Sequence, residues 1–263
     1  MDEAQYRGVI DSIGARKRLG QNFLIKRHVA VAEADYCRGK DVIELGAGLG
    51  VLTEELCRVA RRVTSVEVDM RLYRFLVSGL KCGNCTILND DFFSMKKYPH
   101  ADMMASNVPY SLSSRTLMWL AGKRMPAVLC LQREFAERMV AEPGSGGYSR
   151  LSVFCSLQFE VELGMRVPAN SFYPVPKVDS MVVVMKPKRA MANASELNII
   201  SLMMEHKSKK VRNAIEDSSR YLKLSKDKAR RIADSLEHSS ERVEKLWPDE
   251  LVAVARELLS SLE

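Results

Sequence analysis

Asn107-Val108-Pro109-Tyr110 is the segment whose residue types fit one defined reaction. An aromatic exocyclic amine is a poor nucleophile, because its lone pair delocalises into the ring. Two acceptors bonding the amine hydrogens favour a pyramidal nitrogen and aim its lone pair outward. The Asn107 side-chain oxygen can be one acceptor and the Val108 carbonyl the other, with Pro109 fixing the chain direction. The Tyr110 ring can stack on the base, a contact worth roughly 1–3 kcal/mol. Attack on a sulfonium methyl needs no strong general base, since the methylated ammonium sheds its proton readily afterwards.

A second constellation could hold the methyl donor. In Glu44-Leu45-Gly46-Ala47-Gly48-Leu49-Gly50 the glycines allow a tight turn and close backbone approach to a ligand. The spacing is G-x-G-x-G rather than the dinucleotide fingerprint G-x-G-x-x-G, whose third glycine would fall at Val51. Glu67, 21 residues after Gly46, can accept hydrogen bonds from both hydroxyls of an adenosine ribose. Asp69 is its rival, and the alternation in V-T-S-V-E-V-D does not separate the two. Asp91 could take the adenine amino group, with Phe92 packing on the ring.

Positioning these groups requires strands that end at one edge. Asp41–Leu45, Val63–Val68, Thr86–Leu88, Ala101–Ser106 and Ala127–Gln132 read as short buried strands, with helices over about 51–60 and 70–80. Strands separated by helices predict a parallel, doubly wound α/β sheet. Val178–Lys186 reads as a late β-branched strand closing the sheet edge. Beyond Pro187 the strand signals stop and helical spacing takes over. Trp247-Pro248-Asp249-Glu250 opens the last helix, with Pro in its first turn. The expected division is residues 1–188, a cofactor-binding catalytic domain, and 189–263, a helical domain.

The 263 residues carry 40 Lys and Arg against 33 Asp and Glu, a net charge of +7. Residues 186–231 hold 13 basic against 5 acidic residues, so the rest of the chain is nearly neutral. A local basic block is the electrostatic footprint of a nucleic-acid partner. An apolar content of 46% excludes global disorder, and no stretch approaches the roughly 20 apolar residues of a membrane helix. The N-terminus lacks a secretory pattern, and six Cys in a chain this long read as free thiols in a reducing cytoplasm. Cys82-Gly83-Asn84-Cys85 is a lone C-x-x-C, and the four His are scattered, so no metal site is expected. The 14 Met read as core filler.

These motifs occur in the order and spacing of one family. Gln21-Asn22-Phe23-Leu24, the glycine loop, Asn107-Val108-Pro109-Tyr110, Tyr148-Ser149-Arg150-Leu151-Ser152-Val153 and Phe172-Tyr173-Pro174-Val175-Pro176-Lys177-Val178-Asp179-Ser180 resemble the small-subunit ribosomal RNA adenine N6,N6-dimethyltransferases, the KsgA type. The resemblance runs from about Arg18 to the C-terminus, with Val108 in place of the usual Leu. It implies a class I, Rossmann-like methyltransferase sheet with a small C-terminal helical domain. It also implies S-adenosyl-L-methionine as cofactor and two methyl transfers onto each of two adjacent adenosines near the 3′ end of small-subunit rRNA. Carried over by motif, Gln21, Asn22 and Leu24 would close over the cofactor, with Gly46 and Gly48 at its methionine part and Asn107 also touching it. Glu67 would meet the ribose, and Asp91 with Phe92 the adenine. Asn107 to Tyr110 would hold the target base, turned out of its stack, and Phe172 would stack on its other face. Pro174 and Pro176 would stiffen that loop. Lys207, Lys209, Lys210 and Arg212 would contact RNA phosphates, with Arg16, Lys17 and Arg18 extending the track. The implied partner is rRNA, free or in a partly assembled small subunit, and the expected state is a monomer. The competing readings are the related large-subunit rRNA methyltransferases and a noncatalytic RNA-binding assembly factor.

Overall fold

The computed structural model describes residues 1–16, 19–189 and 191–262. Lys17 and Arg18, two of the three residues of the expected N-terminal basic track, lie outside the described residues.

Five parallel strands follow from short apolar runs that end in turn residues. They are β2 (Asp41–Leu45), β3 (Arg62–Val66), β4 (Cys85–Leu88), β5 (Met103–Asn107) and β6 (Ala127–Gln132). Helices α2 (Arg27–Asp35), α3 (Val51–Val59), α4 (Met70–Gly79) and α5 (Ser113–Lys123) connect or flank them. The sheet order is β4-β3-β2-β5-β6-β9-β7, with β7 at Phe159–Val167 and β9 at Ser180–Pro187. The chain runs outward from β2 to β4, then restarts on the other side of β2 with β5. The carboxyl ends of β2 and β5 therefore flank a topological switch point, the place where open α/β sheets bind ligands.

The late strand does not close the sheet edge as expected. β9 pairs antiparallel with β6 on one side and has β7 on the other. Its run Val182-Val183-Val184-Met185 is wholly buried, as an interior strand must be. β7 is the edge, and the exposed Glu160, Glu162 and Arg166 give it the charged composition that protects an edge from further pairing.

A two-residue ladder joins distant segments. β1 (Phe23–Leu24) pairs antiparallel with β8 (Phe172–Tyr173), and the Ile25 N–H donates to the Ser171 carbonyl at 2.9 Å. The N-terminal helix α1 (Glu3–Ile13) is held by an Asp2–Gln5 capping box. It meets the same ladder, since the Tyr173 hydroxyl donates to Asp11 at 2.8 Å.

The contacts divide the chain into two compact units. One comprises residues 1–136 and 162–187, and the other residues 137–161 and 188–263. The second unit holds α7 (Arg150–Gln158), α8 (Ala194–Glu205), α9 (Val211–Asp217), α10 (Lys226–Ser235) and α11 (Pro248–Ser260), while α6 (Arg133–Met139) spans the first crossing. Its core includes Tyr148, Val153 and Leu157 together with Met203, Val211 and Leu251. The Tyr148 hydroxyl, 1% exposed, donates to the Leu246 carbonyl at 2.8 Å. Those buried side chains group 137–161 with the helices, where a contiguous reading of the sequence had placed them with the sheet. No helix among the described residues is long and apolar enough to cross a membrane.

Candidate active site

The glycine loop leaves the end of β2 and enters α3. Gly48 has φ +59°, and a Cβ there would lie 3.2 Å from the Phe23 ring of β1. Gly50, at φ +83°, caps α3, and a Cβ there would meet Leu76 at 2.7 Å. Both positions need glycine for conformation and for space. The Phe23 contact also brings the Gln21–Leu24 segment against the loop, so one pocket is lined by Gln21, Asn22, Leu24, Gly46 and Gly48.

Glu67 and Asp69 part company here. The Glu67 carboxylate lines the pocket and accepts from the Gly48 N–H at 2.9 Å and the Asp69 N–H at 2.8 Å. Burial pushes its carboxyl upward, against the lowering effect of those N–H groups. Asp69 caps α4 and binds Arg71, Gln21 and Arg16, at 2.6, 3.3 and 3.6 Å. Its carboxyl is held below the usual range by Arg71 first. The Gln21 side-chain oxygen accepts the Arg16 N–H at 2.7 Å. Asp69 therefore latches the segment that covers the pocket, while Glu67 faces into it.

Asp91 and Phe92 also line the pocket. Both Asp91 oxygens serve their own turn, accepting from the Phe93 N–H at 3.0 Å and the Ser94 hydroxyl at 2.9 Å. Phe92 is buried in an aromatic cluster with Phe93, Tyr98 and Trp119.

Asn107 ends β5 on the opposite wall. Its Oδ1 is buried and has no hydrogen-bond partner. A buried orphan acceptor costs about 1–3 kcal/mol, so its retention inside a pocket is a mark of a missing donor. Val108, Pro109 and Tyr110 line the same pocket, as does Phe172 from β8, only 3% exposed. The glycine loop, Glu67, the Asn107–Tyr110 segment and Phe172 thus meet in one cavity, all within the first unit. The cavity wall also includes Glu44, Cys130 and Ser180, for which the sequence reading had no role.

Glu44 accepts from Thr53 at 2.7 Å and Ser65 at 2.6 Å, and burial raises its carboxyl to about 7. Glu33 on α2 is fully buried, with neither oxygen partnered. Burial first, then Glu44, raises it to about 8. The unfolded chain loses these protons near pH 4.5, whereas the fold keeps them. The two groups therefore lower stability as pH rises from about 4.5 toward 8, and add no such penalty below that window. Glu33→Gln is expected to flatten the fall in urea midpoint between pH 5 and 8. An unchanged slope would show that Glu33 is not neutral in the fold.

The second unit presents the basic residues differently from a row of free cations. Lys207 Nζ donates to the Tyr148 carbonyl at 2.6 Å, Lys209 pairs with Asp217 at 2.6 Å, and Arg212 lies 3.9 Å from Asp234. Lys210 is exposed at the start of α9. On α10, Lys226, Lys228, Arg230 and Arg231 are all exposed, with Arg230 4.0 Å from Glu216; these residues lie inside the basic block but were not singled out. Among the described residues, no group of three or more His, Cys, Asp or Glu is arranged to hold a metal ion.

A family model described as ribosomal RNA adenine dimethylase matches residues 13–249. A protein of Thermococcus gammatolerans named "Probable ribosomal RNA small subunit methyltransferase A" is 36% identical over 244 residues, covering 90% of this chain and 87% of that one. A Methanopyrus kandleri protein of the same name is 36% identical over 262 residues, covering 95% and 94%. A solved dimethyladenosine transferase from Plasmodium falciparum superposes with a TM-score of 0.73 at 25% identity, over 89% of this chain and 95% of that one. The 23S rRNA methyltransferase ErmE shares the fold, with a TM-score of 0.64 at 24% identity over 90% and 99%.

Proposed function

The chain belongs to the ribosomal RNA adenine dimethylase family, and from that premise we propose that it transfers methyl groups from S-adenosyl-L-methionine to N6 of two adjacent adenosines near the 3′ end of small-subunit rRNA, two to each. The observation that carries this reading is the buried, unpartnered Asn107 Oδ1 in a pocket shared with the glycine loop and Glu67. The pocket suits such a donor. Gly46, where a Cβ would meet nothing within 4 Å, leaves room for close approach, Glu67 offers a carboxylate, and Phe92 offers an apolar wall.

When bound, S-adenosyl-L-methionine supplies an electrophilic methyl on a positively charged sulfur. The residues of the chain do the rest. In the first transfer Asn107 Oδ1 accepts one N6 hydrogen and the Val108 carbonyl the other, so the nitrogen lone pair points at the methyl; in the second, the one remaining hydrogen is held by one of these acceptors. Tyr110 and Phe172 hold the base between two aromatic rings. The pocket is walled by Leu24, Val108 and Phe172, each buried, which keeps water from competing for the methyl. The methylated nitrogen then releases its proton to solvent.

Lys210, Lys226, Lys228 and Arg231 would contact phosphates, with Lys207, Lys209, Arg212 and Arg230 contributing from their internally paired positions. Such contacts give affinity and register rather than base choice. The substrate form we favour is a partly assembled small subunit, and the compartment is the cytoplasm.

The test is to incubate the purified protein with methyl-labelled S-adenosyl-L-methionine and small subunits lacking adenine dimethylation, then map the label by nuclease digestion and mass spectrometry. Dimethyladenosine at two adjacent 3′-end positions is the expected result. Label confined to large-subunit RNA would replace the assignment with the large-subunit reaction. Tight RNA binding with no label on either would replace it with a noncatalytic role.

A further inference from the structure

Stacking on a base needs the ring of Tyr110 but not its hydroxyl, yet that hydroxyl is bonded. Tyr110 opens a single helical turn, Tyr110–Leu112, just past β5. Its oxygen lies 2.8 Å from the hydroxyl of Ser180. Ser180 is fully buried, begins β9 opposite Gln132 of β6, and lines the same pocket. Cys130 stands opposite Asn107 in the β5–β6 register.

The position of Ser180 is itself fixed from behind. The neighbouring Asp179 accepts from Arg166 at 3.0 Å and from the Ala169 N–H at 2.9 Å. Its carbonyl accepts the Arg133 N–H at 2.9 Å. Phe172 lies at the other end of the same Phe172–Ser180 segment. The segment that supplies one aromatic face of the pocket therefore also supplies the anchor for the other.

We propose that Ser180 is a positioning residue for the methyl transfer. Its bond to the Tyr110 hydroxyl fixes the tilt of that ring against β9, so that the base lies with its amine at the Asn107 oxygen. This rests on the reading that the pocket takes an adenine base. A flat ring that could pivot about its side-chain bonds would still stack, but it would hold the amine in line with the methyl for a smaller share of the time.

The experiment is a double-mutant cycle of Tyr110→Phe and Ser180→Ala, with Ser180→Thr as the conservative variant. Methyl transfer is measured on small subunits lacking dimethyladenosine, and affinity for S-adenosyl-L-methionine by calorimetry. Each single variant is expected to lose about three- to tenfold in kcat, the worth of one neutral hydrogen bond. KM for subunits and cofactor affinity stay within about twofold of the unmodified protein. The double variant loses no more than either single one, and Ser180→Thr retains activity. An activity-independent reading comes from protein carrying 13C-labelled tyrosine. The Tyr110 Cζ resonance, assigned by its loss in Tyr110→Phe, moves in Ser180→Ala and returns in Ser180→Thr. Losses that simply add, or a Cζ resonance unmoved by Ser180→Ala, overturn the proposal. An unmodified protein that transfers no methyl to small subunits would instead strike at the functional reading, while the resonance still decides whether the bond holds the ring.

Discussion

Asn107→Ala loses about 100- to 1,000-fold in single-turnover methyl transfer, the usual cost of deleting one preorganised polar group at a reacting centre. RNA affinity is retained because the basic helices are untouched, and cofactor affinity falls by no more than a few-fold because the glycine loop and Glu67 remain. Folding stability does not fall. Asn107 Oδ1 is buried without a partner in the structure, so its removal relieves a cost of about 1–3 kcal/mol. A residue kept for packing would show the reverse, with activity nearly intact and a lower unfolding midpoint. Transfer within a few-fold of the unmodified protein would remove Asn107 from the mechanism.

Glu67→Ala weakens S-adenosyl-L-methionine binding by about 100-fold, measured by calorimetry. Hydrogen bonds to a charged group are worth roughly 1.5–3 kcal/mol. The substitution also strands the Gly48 N–H, which gives the loop its shape. Asp69→Asn separates the two neighbouring acids. Asp69 does not line the pocket but holds Arg71, Gln21 and Arg16. Its loss is expected to loosen the covering segment, raising the cofactor dissociation rate while leaving most of the affinity. If Asp69→Asn were the more damaging of the pair, the ribose contact would have to be reassigned to it.

That pair shows where sequence reading stops. The central strands were legible because Asp41–Leu45 and Ala127–Gln132 are unbroken apolar runs ending in turns, and the switch point follows from their order. Glu67 against Asp69 depends on which side of the chain faces the pocket just past β3, and the alternation does not extend that far. The ladder of β1 and β8 is two residues long, too short for any periodicity to register. β7 reads as polar because one of its faces is exposed, and missing it made β9 look like the edge. The pocket itself was legible through its chemistry. Asn107, Tyr110, Glu67 and the glycine loop stand out by type and spacing and line one pocket, whereas Ser180 is a hydroxyl like any other until the fold sets it 2.8 Å from Tyr110.

The chain passes between the two compact units three times, after residues 136, 161 and 187. This bears on how such a protein can be dissected or could have been assembled by gene fusion. A stop codon after residue 187 would not release a clean catalytic fragment. It would strand Tyr148, Val153 and Leu157 without the helices that bury them, leaving their apolar surface open to aggregation. A fragment of residues 188–263 would lack those same side chains and start with a hole in its core. The helical unit is better described as an insertion plus a tail than as an appendix. A heterologous helical unit could be grafted onto this sheet only by replacing both stretches together.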